Sequence, residues 1–264
     1  MKKAITITLA SGLAGLAALF VAVQAGHVRL APEAVAASTE AAPLDRAAVE
    51  QIVREYLIKN PEVMLEVQSA LEAKQAAAAR DGQREVIAAN ADKLFKASGD
   101  AVFGNPKGDI TVVEFFDYNC GYCKHALPDM DALIKSDPNI RFVMKEFPIL
   151  GPDSVKAHIV AQAFKALMPE KYLEFHRALL GNQGRATEDS TIALAVKLGA
   201  DEAKLREKMK SPEITEVFQT NYQLANALNI TGTPSYIIGN EVVPGAIGLE
   251  GLAQKIAEER KGNG

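Results

Sequence analysis

The sequence predicts an α/β fold: a βαβ unit, an inserted block of helices, then a β-hairpin with a closing helix, all preceded by an N-terminal helical segment. Three observations carry that expectation. The run Ile110 through Val112, Val113 and Phe115 to Phe116 is nearly continuously apolar, as a buried central strand is. Ile140, Phe142 and Met144 alternate as a second strand. Gly239-Asn240 stands between two short strand patterns, Ser235 to Ile238 and Glu241 to Val243, as a hairpin turn.

The chain begins with Met1-Lys2-Lys3, followed by an uncharged stretch, Ala4 to Val23. Val23-Gln24-Ala25 offers small or short apolar residues where a signal peptidase reads, and Val35-Ala36-Ala37 offers a second such place. Residues 1–25 are expected to be a cleaved export signal, which directs the protein to a bacterial periplasm. Residues 4–23 are also just long enough to stay as an inner-membrane anchor. Residues 26–43, rich in Ala, Pro and Glu, read as a linker.

Helices follow. Asp45 can cap a helix with Val49, Ile52, Val53, Tyr56 and Leu57 on one face. Asn60-Pro61 is expected to cap and open a second helix, carrying Met64, Val67 and Leu71, with Gly82 as a possible bend before Val86, Ile87, Ala91, Leu94 and Phe95 resume the stripe. Residues 44–98 are taken as one helical domain. Its narrow apolar stripe must pack either on the rest of its own chain or on copies of itself; residues 45–97 are expected to join a homo-oligomer.

After the first strand a helix should start at Cys120, kinked at Pro128. Several short helices fill an insertion at about 152–212, Ser211-Pro212 opens a longer helix, and Leu249 to Arg260 closes the chain. Residues 99–262 thus match a thioredoxin-like fold with an inserted helical domain, preceded by an N-terminal α-helical oligomerisation segment.

Apolar content of 48% and charged content of 23% are those of a globular protein. A net charge of −4, with 29 basic against 33 acidic side chains and no dense basic run, argues against nucleic acid as a partner. The chain has two cysteines, Cys120 and Cys123. A disulfide between them closes almost no loop, so it adds little stability, and the pair reads as reactive rather than structural. The thiolate is the attacking form, and the free N–H groups of a helix start favour it at Cys120. Cys123, one turn further in, would resolve the mixed disulfide. Gly121 and Tyr122 lie between the sulfurs and should tune the pair and face the substrate.

Two close cysteines also form half of a zinc site, but no second pair exists. A copper(I) site made by Cys120, Cys123 and His125 is the alternative use of the same thiols. His158 and His176 sit in helical patterns and read as partly exposed. Thr233-Pro234 opens the strand expected beside the first one. A cis bond there would turn the Thr233 backbone towards the cysteines, where it can pair with an extended substrate; an ordinary trans proline is the alternative. Glu114 interrupts the apolar strand. It either faces solvent or pairs with Lys145, or it accepts a proton from Cys123. Lys124 and Lys145 are candidates for positive potential near Cys120.

Three strings, Phe115-Phe116-Asp117-Tyr118-Asn119-Cys120-Gly121-Tyr122-Cys123-Lys124, Lys145-Glu146-Phe147-Pro148-Ile149-Leu150-Gly151 and Thr231-Gly232-Thr233-Pro234, resemble DsbA-family periplasmic proteins. With Tyr56-Leu57-Ile58-Lys59-Asn60-Pro61-Glu62, the chain is similar to the ScsC-like branch over roughly 45 to 262. The resemblance implies Cys120 as nucleophile, Cys123 as resolving cysteine, Pro234 as a cis proline and Glu114 as the family's buried acid. It implies no cofactor and no metal. The partners implied are cysteine-containing protein substrates and a membrane redox partner, either a DsbD/ScsB-like reductase or a DsbB-like oxidase. Members of this branch oligomerise through the N-terminal helices, act as disulfide isomerases or are linked to copper tolerance. The Gly-Tyr dipeptide departs from the Pro-His of the strongly oxidising members, and no Trp precedes the first cysteine. The sequence therefore leaves isomerase and oxidase both open.

Overall fold

A computed structural model describes residues 45–262. The expected export signal or anchor and the linker, residues 1–43, lie outside the described residues. Among the described residues no helix is long and apolar enough to cross a membrane. The chain divides into two units, Met1–Asn60 and Pro61–Gly264, so the boundary falls inside the 44–98 segment.

In the first unit, helix α1 (Arg46–Lys59) is capped by Asp45, whose side chain accepts from Ala47 N–H at 2.5 Å. None of its residues is buried, and Val49, Ile52, Val53 and Tyr56 stand 40–56% exposed along it. Asn60 was expected to cap the next helix. Instead it closes α1: its side-chain amide donates to Tyr56 O at 2.8 Å.

The second unit opens with α2 (Glu62–Ala89) and the short α3 (Ala91–Phe95). Gly82 does not interrupt α2; one glycine costs about 1 kcal/mol in a helix interior, and the alanine-rich stretch before it offsets this. The two ends of α2 differ. Met64, Leu65, Val67 and Leu71 are 52–68% exposed, whereas Ile87, and then Leu94 of α3, are buried.

The sheet has five strands: β1 (Ala101–Gly104), β2 (Ile110–Phe116), β3 (Ile140–Glu146), β4 (Ser235–Ile238) and β5 (Glu241–Pro244), in the order β1-β3-β2-β4-β5. β2 and β3 are parallel; the other pairs are antiparallel. β1 escaped the sequence reading. Four residues ended by Gly104, at φ +77°, and Asn105-Pro106 give too short an alternation to separate from a loop. The hairpin between β4 and β5 turns at Gly239, φ +58°, as expected.

Both faces of the sheet are covered. Val113, Phe115, Val143 and Ile237 pack with Ile87, Leu94 and the end of α9 (Pro212–Ala227). Val112, Phe116, Phe142, Met144 and Tyr236 face the other side. There they meet α4 (Gly121–Ser136), α10 (Gly248–Gly262) and the inserted helices α5 (Pro152–Leu167), α6 (Tyr172–Leu180), α7 (Glu188–Lys197) and α8 (Glu202–Lys208). Side chains alternate along a strand, so Glu114 shares the face of Val112 and Phe116, the face that carries α4. Pro128 lies within α4, which continues to Ser136.

Lys145 is fully buried and pairs with Asp100, not with Glu114, and it also donates to Lys93 O. Its Nζ therefore lies away from Cys120. Burial pushes both partners towards their neutral forms, Asp100 up to about 6 and Lys145 down. Removing one member strands the other in the interior. Asp100→Ala should cost about 3–5 kcal/mol in urea unfolding, while Asp100→Leu combined with Lys145→Met should cost clearly less. Equal losses for single and double variants would contradict the pairing.

Candidate active site

β2 ends at Phe116, and the backbone turns through Asp117, Tyr118 and Asn119 into α4. Cys120 is the N-cap residue of α4, with an extended backbone at φ −79° and ψ 118°. Its sulfur thus sits where the first N–H groups of the helix have no partner within the helix. Across from it, the Thr233–Pro234 bond is cis, and Cys120 Sγ lies 3.1 Å from Thr233 O, to which it donates in its thiol form. Cys123 is fully buried beneath, whereas Cys120 is 6% exposed. Both thiols are free.

The two sulfurs differ sharply in acidity. Cys120 is drawn down to about 5, first by the hydrogen bond from the Cys123 thiol; burial, the next-largest effect, opposes this, and the Thr233 side chain and the N–H groups of Cys123 and Tyr122 add to the lowering. Cys123 is pushed far up, first by burial, then by the Cys120 hydrogen bond and the Glu114 charge. One thiolate and one thiol is the arrangement that dithiol exchange requires.

The other expected residues sort around this pair. Tyr122 is 69% exposed, and a side chain at Gly121 would meet nothing within 4 Å, so the dipeptide forms an open rim. Lys124 turns from the sulfurs to donate to Asn182 O and Gly184 O at 2.5 and 2.8 Å. His125 is exposed on α4 while Cys123 is buried. Among the described residues no group of three His, Cys, Asp or Glu is gathered as a metal site. Glu114 is 3% exposed, neither facing solvent nor paired with Lys145. Burial first, then the charges of Cys120 and Asp129, lift it to about 8.

A buried polar network behind the cysteines escaped the sequence reading. Asp117 is fully buried; Oδ1 accepts from Asn119 N–H (2.7 Å) and the Ser154 hydroxyl (2.8 Å), and Oδ2 accepts from Ile149 and Leu150 N–H (2.9 and 3.0 Å). His158 and His176, expected to be partly exposed, are both fully buried. His158 Nε2 accepts Tyr118 N–H at 3.1 Å, so its proton is on Nδ1, which donates to Glu146 at 2.7 Å. Tyr172 also donates to Glu146, at 2.7 Å. Its oxygen therefore accepts from Tyr118, whose oxygen in turn accepts from His176 Nδ1, both at 3.1 Å. Burial holds His176 down at about 3. The signal was present: between Val155 and Leu167 the only charges are Lys156 and Lys165. A helix that apolar is buried all round, and its polar residues must then be partnered.

A βαβ-and-hairpin sheet with helices on both faces, and a dithiol at a helix N-terminus facing a cis proline, define a thioredoxin-like dithiol protein. The DSBA-like thioredoxin domain model matches residues 111–257, more than half of the chain, and the ScsC N-terminal domain model of copper resistance proteins matches 45–78. The chain belongs to the DSBA-like thioredoxin domain family. A thioredoxin-like oxidoreductase from Silicibacter pomeroyi DSS-3 is 40% identical, with 64% of this chain and 97% of that one covered and a TM-score of 0.62. Proteus mirabilis ScsC in a transitional conformation is 27% identical, with 82% and 96% covered and a TM-score of 0.60. A Na(+)/H(+) antiporter NhaA 1 from Salinispora arenicola is 26% identical over 158 residues, 60% of this chain; that match spans 24% of the antiporter's length.

The Glu114 carboxyl binds its proton more tightly folded than unfolded. Its contribution to stability is therefore full below pH 4.5, falls as pH rises, and levels off above about 8. Glu114→Gln should gain stability over the parent progressively across that window, reaching on the order of a few kcal/mol at its top. A pH-independent difference in thermal unfolding would contradict the buried acid.

Proposed function

We propose that this protein is a periplasmic thiol–disulfide exchange enzyme acting on cysteine-containing protein substrates, with disulfide isomerisation as its main task. One observation carries the reading. Cys120 caps α4 with Sγ 3.1 Å from the backbone carbonyl of Thr233, so the acidic thiol lies beside a backbone segment that an extended substrate can pair with.

The Cys120 thiolate attacks a substrate disulfide, forming a mixed disulfide and releasing one substrate thiolate. That thiolate can attack another substrate disulfide, and a final substrate thiolate attacks the substrate sulfur joined to Cys120, expelling the Cys120 thiolate and freeing the enzyme unchanged, which is isomerisation. Alternatively Cys123 attacks the Cys120 sulfur, releasing a reduced substrate and leaving the enzyme oxidised. Cys123 must lose its proton for that step. Glu114 lies on the sheet face that α4 covers and, at about 8, is ionised in part near neutrality, so it takes the proton and returns it in reverse. Gly121, Tyr122 and Thr233 form the substrate-facing rim, and Pro234 sets the Thr233 backbone beside Cys120.

Isomerisation needs the pair kept reduced, which assigns a DsbD/ScsB-like membrane reductase as partner; a DsbB-like oxidase would serve the oxidase alternative. The exposed apolar side chains of α1 and those of the first half of α2 are unlike a solvated helix surface. They support joining copies of the chain through residues 45–97. The ScsC N-terminal match keeps copper tolerance as the second reading, with the two thiolates as copper(I) ligands.

Refolding of scrambled ribonuclease tests the proposal. Cys120→Ser should bring the rate to the uncatalysed level, and Cys123→Ser should accumulate a mixed disulfide through Cys120. Unchanged refolding by Cys120→Ser would overturn it.

A further inference from the structure

β1 is an edge strand. Asn105 N–H donates to Ile140 O at 2.9 Å, just beyond the strand. In an antiparallel ladder, pairs that exchange hydrogen bonds alternate with pairs whose backbone groups point away from each other. Counting back, the Phe103–Phe142 and Ala101–Met144 pairs are bonded, and the Val102–Val143 pair is not. The N–H and C=O of Val102 therefore face the open edge, where Val102 is 38% exposed.

That edge lines a cavity of about 970 Å³, together with residues of α5 and α9. Two buried amides, Gln162 and Asn221, share the lining. Gln162 Nε2 donates to Gly99 O (3.2 Å) and Glu146 Oε1 (3.0 Å), and Asn221 Nδ2 donates to Glu146 O (3.0 Å). Those partners only accept, so both amide orientations are forced. Gln162 Oε1 and Asn221 Oδ1 are left without a donor among the described residues. Both oxygens open into the cavity as acceptors, which suits a ligand that brings N–H groups.

Charge narrows the ligand further. Asp100 is held by Lys145, Glu213 by Lys208, and Lys165 donates to Gly99 O, which leaves Lys93 beside Glu216. That mixed lining does not suit a polyanion. An extended main chain suits it: N–H groups for the two amides, and a donor–acceptor pair for Val102.

We propose that the free edge of β1 takes a stretch of extended, unfolded polypeptide by main-chain pairing and holds a substrate chain while Cys120 acts on its disulfide. The identity of the bound chain rests on the disulfide-exchange reading. Pairing through the main chain is independent of side-chain sequence, as an enzyme of many substrates needs. Ala101, where β1 starts, pairs near the end of the sheet from which Cys120 follows. β1 lies two strands from β2, about 10 Å away, within reach of one substrate chain.

The probe is reduced, carboxamidomethylated lysozyme, an unfolded chain without a free thiol. In the full-length protein, saturating probe should slow amide hydrogen exchange at Val102 at least tenfold. Ala166→Trp, which fills the cavity from an exposed position on α5, should raise the Kd for the probe at least fivefold and leave exchange with glutathione disulfide unchanged. An unprotected Val102 amide, or a smaller rise in Kd, overturns the edge site. A parent protein that fails to exchange with glutathione disulfide strikes the disulfide reading instead, and Val102 protection then still decides the edge.

Discussion

The hydrogen-bond donors gathered at the start of α4 are the constraint on which the rest of the site depends. A thiol in ordinary surroundings near neutrality is mostly protonated and a poor nucleophile. At Cys120 the Cys123 thiol, the Thr233 side chain and two backbone N–H groups outweigh burial and favour the anion. Each donor has a structural origin. The backbone groups come from a helix that starts directly after a buried parallel strand. Cys123 is one turn further along that helix. Thr233 arrives from a distant part of the chain, because β4 pairs with β2 and places its entry beside β2's exit. The same acidity links redox state to stability. The folded Cys120 lies below its unfolded value, so its contribution to the reduced form is complete above pH 9 and is lost as pH falls towards 5.

The turn between β2 and α4 is held by groups far from it in sequence. Asp117 ties it to the 149–150 backbone and to Ser154 on α5. Asn119 exchanges hydrogen bonds with the backbone of Ala186, at 2.9 and 2.8 Å. His158 holds Tyr118 N–H and is itself held by Glu146, at the end of β3. The inserted helices therefore brace the catalytic turn as well as covering one face of the sheet. Buried polar networks of this kind favour a single geometry when every member is satisfied. In this network His176 Nε2 alone is left over among the described residues.

Much of this was legible in the sequence because its signals are local. An apolar run, an alternation, a Gly-Asn turn and two cysteines one helical turn apart each announce themselves within a few residues. Thr233-Pro234 was legible from its place at a strand start. The bracing network was not, since His158, Glu146 and Asp117 acquire their meaning from contacts spanning tens of residues. Asn60 misled because Asn serves either end of a helix, and here its side chain reaches back to Tyr56. Lys145 was misplaced for a related reason: its partner lies just before β1, a strand too short to show a period.

The central claim is that the fold makes Cys120 a thiolate near neutral pH. Ultraviolet thiolate absorbance of the reduced protein, titrated against pH with Cys120→Ser as the blank, tests it directly. The account predicts a single thiolate appearing with a midpoint at about 5 and no second one in the neutral range. A midpoint near the ordinary thiol value of 9 would contradict it.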